Sequence, residues 1–236
     1  MAETDITNET AGIRGRARRM LAAEVGAFLL LILPSLVLGA LLRTPRSVGF
    51  AVTAVTTIAQ DTGLVALVLY FLWRNGEPLR RLGWNFGGGV REVLVGIVLF
   101  GPIAFATSAL ATWLTKLGLS APSGEISFLA PAGAGELALG VLLVAVVAVA
   151  EETIFRGYLL LRFGALTRST EAAVILSSIV FGLGHGYEGS AGMVSVAVLG
   201  ALYALVYVWR QSLIAPIVMH FLQDLLGIVI PNIGGS

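Results

Sequence analysis

The sequence predicts an all-α, polytopic transmembrane helix bundle of about seven spans, with six and eight as the bounds. Three observations lead there. Of 236 residues, 57% are apolar and only 12% are Asp, Glu, Lys or Arg, and the mean hydropathy is +0.90, far from the balance of a soluble domain. Seven stretches reach or approach the roughly 20 apolar residues that a hydrocarbon core requires. The basic residues, finally, gather in alternate connections between these stretches.

Lipid offers no partner to an unpaired backbone amide, so each stretch must be a helix that satisfies its own. The first span, 21–42, follows a basic segment with Arg14, Arg16, Arg18 and Arg19. The apolar run after it is too long for a signal peptide and lacks a small-residue cleavage site. Residues 1–20 therefore read as a retained basic cytoplasmic arm at the anionic inner leaflet, and 21–236 as a single transmembrane helical domain. The second and third spans, 50–73 and 91–115, flank an irregular connection, 74–90, that contains Gly87, Gly88 and Gly89. A long Pro- and Gly-containing loop, 116–136, leads to the fourth span, 137–163. The fifth and sixth, 172–186 and 192–209, are short, and Gly and Ser near the end of the fifth suggest a tilted or re-entrant path. The seventh is 212–230. No internal repeat and no separate soluble domain is visible.

With the N-terminus inside, eleven arginines fall in inner segments, whereas Arg43, Arg46 and Lys116 are the three basic residues outside. That bias sets the expected orientation of an integral membrane protein with a cytoplasmic N-terminus and an outer C-terminus. Arginine exceeds lysine fourteen to one, which suits a GC-rich prokaryotic genome and hence a prokaryotic cell membrane. The near-neutral formal charge of +1 gives no reason to expect nucleic acid as a partner. The absence of cysteine excludes disulfides, zinc-thiolate sites and a cysteine nucleophile.

A charge in a bilayer helix is costly, so each intramembrane ionisable residue is a functional candidate with a partner to be named. These are Asp61, Glu151, Glu152, Arg156, His185, His220 and Asp224, and they include both histidines of the chain. Counted at ~1.5 Å per residue from the inner face, Glu151, His185 and His220 lie about 18, 20 and 15 Å deep, one level on three helices. Glu152 and Arg156 are i and i+4 with the acid first, the favourable order for an ion pair, and this pair also reads as purely structural. Glu151 projects about 100° away and has no local cation. Desolvation disfavours its charged form, which suits a carboxyl that takes and returns a proton. His220 and Asp224, also i and i+4, form a second polar cluster. Each histidine has a plainer reading too, His185 bonded to a free carbonyl at a helix end and His220 bonded across helices. Asp61, beside Gln60, reads as a satisfied polar contact between helices, and Phe181 and Tyr158 as packing.

Glu151-Glu152-Thr-Ile-Phe-Arg156, Phe181-Gly-Leu-Gly-His185 and His220-Phe-Leu-Gln-Asp224, in that order, resemble the motifs of the CAAX-protease and bacteriocin-processing (Abi) family of membrane endopeptidases, relatives of the type II CAAX prenyl endopeptidase. The resemblance runs from about residue 137 to 231 and takes in Gly157-Tyr158-Leu159 and the run from Ser212 to His220. It implies hydrolysis of a peptide bond in a membrane-associated peptide or protein, within a catalytic cavity among the four C-terminal spans. By the family's pattern Glu151 with His185 activates water, and His220 with residue 224 steadies the oxyanion. Asp224 stands where the commonest form has Asn. An Asp donates a hydrogen bond only when protonated, so it is either a protonated donor or the group that orients His220.

An older reading of the family makes Glu151, His185 and His220 zinc ligands with an open fourth position. The three come from separate helices without the His-x-x-x-His spacing of soluble metalloproteases, and the glutamate mechanism without a metal or other cofactor is preferred. Two other classes are consistent with the composition. A proton-coupled transporter would carry polar groups in both halves, whereas here they lie almost wholly in the second. A non-catalytic immunity or scaffold protein would have no use for the whole ordered set.

Overall fold

The computed structural model describes residues 17–33, 49–121 and 131–234, with side chains in the last helix through residue 228. Among the described residues the chain is helical and has no strand. The helices are α1 (17–33), α2 (Phe50–Arg74), α3 (Val90–Lys116), α4 (Gly133–Glu152), α5 (Leu160–Thr167), α6 (Thr170–Leu183), α7 (Gly189–Arg210) and α8 (Ile214–Gly234). Short 3-10 turns, Leu79–Leu82 and Gly186–Glu188, precede α3 and α7. Among the described residues four helical segments are long and apolar enough to cross a membrane: Phe50–Arg74, Val90–Lys116, Gly133–Thr167 and Gly186–Arg210. Thr170–Leu183 and Ile214–Ile228 are shorter apolar helices.

Each predicted span overlaps a helix, with differences at the ends, and four of them reach membrane-crossing length among the described residues. Residues 17–20, expected in the basic arm, are already helical. Arg14 and Arg16, Arg43 and Arg46, residues 34–42 of the first span and residues 122–130 of the 116–136 loop lie outside the described residues. α6, where the fifth span was expected, stops at Leu183, so His185 stands in the turn beyond it, not inside a span. The surface carries the apolar belt that lipid requires: Leu30 is 74% exposed and Phe105 77%. Trp73, Trp113 and Trp209 are exposed near the ends of their helices beside Arg74, Lys116 and Arg210, where amphipathic rings meet the headgroups.

Helix neighbours are α6 with α7, α3 with α7 and α8, and α4 with α2 and α8. Small residues let the backbones meet. A Cβ on Gly182 would stand 2.7 Å from Ala197 Cβ, and one on Gly96 would stand 2.8 Å from the carbonyl of Ala215. The main core fills the space between α1, α2, α4 to α6 and α7, where Phe28 lies 5.0 Å from Tyr158 and Phe71 stacks on the same ring at 6.1 Å.

The helix ends and connections are tied by charged side chains. Glu24 of α1 accepts hydrogen bonds from Arg74 (2.7 Å), Asn75 (2.9 Å), Tyr158 (3.0 Å) and Arg162 (3.0 Å), and Arg162 reaches Glu77 as well. Arg210 at the end of α7 binds both oxygens of Glu92 at the start of α3. The 79–89 segment tucks beneath α8, where Leu213 donates its N–H to Gly83 at 3.0 Å.

Candidate functional site

The site is built on one irregularity in the long helix Gly133–Thr167. After Glu152 the helix widens into a π turn, Thr153–Leu159, before α-helical geometry resumes. Such insertions recur at functional sites because they re-aim side chains and loosen the i to i−4 ladder. Here the loosened Phe155 carbonyl takes a side-chain donor, Ser177 Oγ of α6, at 2.7 Å. Glu151 and Glu152 stand just before this turn and Arg156 within it.

Glu152 and Arg156 are both fully buried, with Glu152 Oε1 2.9 Å from Arg156 Nη1. The guanidinium lies over the Phe181 ring at 4.2 Å and the Tyr203 ring at 5.5 Å, and Nη2 reaches the Gly200 carbonyl at 3.4 Å. Gly200 has no side chain to block that approach, since a Cβ there would stand 2.9 Å from Phe181 Cδ1. Phe181 and Tyr203 are therefore the two aromatic walls that hold Arg156.

His220 of α8 faces this pair. Its Nδ1 is 2.8 Å from Glu152 Oε1, while Nε2 is 3.4 Å from Asp224 and 3.7 Å from Glu151 Oε2. The His220 side chain is 6% exposed, against 23% for Glu151 and 30% for Asp224. The cluster thus has a closed inner side, Glu152 and Arg156, and an accessible side, Glu151 and Asp224. A reacting group can reach only the second.

His185 follows the end of α6 with its Nδ1 3.0 Å from the Phe181 carbonyl, the arrangement of a helix-end histidine. Its ring lies 4.8 Å from that of Phe181, which in turn meets His220 edge-on at 6.0 Å. Among the described residues no hydrogen bond or ion pair joins His185 to Glu151. The histidine that faces Glu151 is His220, whereas the sequence reading had paired Glu151 with His185. Both histidines remain around Phe181, with His185 in electrostatic reach of His220 and Asp224.

Two groups were not read as part of the site. Asp61 of α2 is 8% exposed, and its Oδ2 has no hydrogen-bond partner among the described residues, so the satisfied interhelical contact expected for it is not found there. It lies in electrostatic reach of His220 and Glu151. The charge within an apolar span was a visible signal, but nothing local tied it to α4. Tyr203, 1% exposed beside His220, gave no signal because a tyrosine among Ala, Leu and Val is ordinary in a membrane helix. No set of three His, Asp or Glu side chains stands together as a metal-holding group among the described residues.

An all-helical chain with several membrane-length apolar helices and a buried acid–imidazole cluster defines the class: an integral membrane protein whose polar centre lies between its helices. Residues 133–226, from the start of α4 into α8, match the family model described as Type II CAAX prenyl endopeptidase Rce1-like. The match covers less than half of the chain and makes this part of it similar to that family. No curated protein and no solved structure matches the chain.

Proposed function

We propose that the protein hydrolyses a peptide bond of a membrane-associated peptide or protein, within the bilayer and without a metal, using Glu151 as the base. The observation that carries this reading is the convergence of His220 on both glutamates of α4, at 2.8 and 3.7 Å, with Glu151 left on the accessible side.

Glu151 takes a proton from water as the water oxygen bonds to the substrate's carbonyl carbon. The carbonyl electron pair moves onto oxygen, and the oxyanion needs a donor placed in advance. With Nδ1–H committed to Glu152, a protonated His220 presents Nε2–H to that oxygen, and Asp224 at 3.4 Å orients the ring edge. His185, its Nδ1 held by the Phe181 carbonyl, has Nε2 free for the water or substrate. The C–N bond then breaks, and the proton carried by Glu151 passes to the leaving amine. Glu152 and Arg156 keep His220 in place and touch neither water nor substrate.

The same reading makes the chain a seven-span protein of a prokaryotic cell membrane with its N-terminus in the cytoplasm. Arg74 and Arg210, each beside an exposed Trp, would lie at the inner face and Lys116 at the outer. Purified protein in detergent is expected to cut a quenched fluorescent peptide equally well with and without a strong chelator. Loss of cleavage on chelation, restored by zinc, would reject the metal-free mechanism, and no cleavage across a broad peptide library would reject the protease.

A further inference from the structure

We infer that Asp61 is a positioning residue of this site, holding the buried oxygen of Glu151 through a hydrogen-bonded proton bridge and so turning the other oxygen toward the accessible side. The inference deepens the protease reading and rests on it. It also brings in α2, which lies outside the segment matched by the family model.

The register of two helices carries the argument. At the start of α2, Phe50 meets α4 at Gly140, where a Cβ would stand 3.3 Å from the Phe50 ring. Ala54 and Leu143 share a cluster with Phe50, and Ile58, Leu139 and Val147 pack around it. Near the far end, Phe71 stacks on Tyr158 at 6.1 Å. The helices therefore run in the same direction. Asp61 is eleven residues beyond Phe50 and Glu151 eleven beyond Gly140, so both have risen about 16 Å from a shared starting level. Asp61 is also on the buried stripe of α2 that includes Ala54 and Val68.

At that level each acid has a buried oxygen, Asp61 Oδ2 and Glu151 Oε2, with no hydrogen-bond partner among the described residues. Buried carboxyl oxygens are rarely left so, and an explanation is owed. The cations nearby are engaged, since Arg156 pairs with Glu152, His220 Nδ1 is bound to Glu152, and His220 Nε2 lies nearer to Asp224 (3.4 Å) than to Glu151 Oε2 (3.7 Å, beyond hydrogen-bond distance). Two carboxyls in one low-dielectric site do not both stay ionised, and one proton between them satisfies both oxygens. Held in this way, Glu151 has a single orientation, the condition a base needs before water arrives.

The test uses the full chain in detergent. Asp61→Leu removes the bridge and is expected to lower kcat about 10- to 100-fold at unchanged KM. Asp61→Asn still offers an N–H to Glu151 and is expected to retain kcat within a few-fold. Infrared difference spectra need no substrate and serve if Asp61→Leu fails to fold. The bridge predicts one carboxyl band that both Asp61→Asn and Glu151→Gln remove or shift. Full kcat in folded Asp61→Leu, or bands that each respond only to their own substitution, would overturn the inference. A wild-type chain that cuts no peptide yet shows the coupled band would remove the protease reading and leave the bridge standing.

Discussion

His220 Nδ1 lies 2.8 Å from Glu152 Oε1, and this contact selects the working nitrogen of the ring. Glu152 is an acceptor already paired with Arg156, so Nδ1 carries the hydrogen and Nε2 is the edge turned to Glu151 and Asp224. The chain has two histidines, which makes the assignment measurable by nitrogen NMR of histidine-labelled protein. The wild type is expected to show one ring with a strongly hydrogen-bonded Nδ1–H on a carboxylate. In Glu152→Gln that signal should shift, with kcat lower by about 10²- to 10⁴-fold as the ring loses the carboxylate that holds its Nδ1–H. An unchanged histidine spectrum in Glu152→Gln would contradict the contact.

Arg156 fills a space walled by Phe181 and Tyr203, and its loss leaves Glu152 as a buried charge with only His220 beside it. Arg156→Met is expected to destabilise the protein by about 3–5 kcal/mol. Adding Glu152→Leu should recover part of that loss, because the second change removes the orphaned charge. Thermal unfolding of both variants in detergent measures this, and additive losses would count against the buried pair.

Gly200 marks where the Arg156 side chain approaches α7. A methyl at this position would meet Phe181 Cδ1 at 2.9 Å and Arg156 Nη2 at 3.4 Å. Gly200→Ala should cost about 1–3 kcal/mol by overpacking and should slow cleavage, since Phe181 touches both histidine rings. Wild-type unfolding and activity in Gly200→Ala would show that the aromatic wall yields freely.

Glu24 binds α1 to Arg74 at the end of α2 and to Arg162 of α5, with its side chain 2% exposed. Glu24→Ala should lower stability by about 1–3 kcal/mol through unpaired donors, Tyr158 among them. The clasp makes no direct contact with Glu151, Glu152, His220 or Asp224, so the folded fraction should keep its kcat. Limited proteolysis and turnover of the same sample separate the two effects, and a kcat loss at full folding would give the clasp a role the structure does not suggest.

The helical architecture could be read from the sequence because lipid admits so few alternatives. The starts of α2, α3 and α7 fall within a few residues of their expected places. The pair Glu152–Arg156 and the pair His220–Asp224 followed from i, i+4 spacing, which is local geometry. What spacing does not contain is which helices touch. The pairing of His220 with Glu152, the walls of Phe181 and Tyr203 around Arg156, and the level of Asp61 against Glu151 all depend on contacts between distant segments. The end of α6 at Leu183 was missed for a related reason: the apolar run continues past it, while Gly182, Gly184 and Gly186 permit a turn that hydropathy does not register.

The most direct test of Glu151 as the base is kcat/KM of purified Glu151→Gln for a quenched peptide, with His185→Ala measured beside it. The account predicts a loss of about 10²- to 10⁴-fold in each at unchanged unfolding temperature. Cleavage at the wild-type rate by folded Glu151→Gln would contradict it.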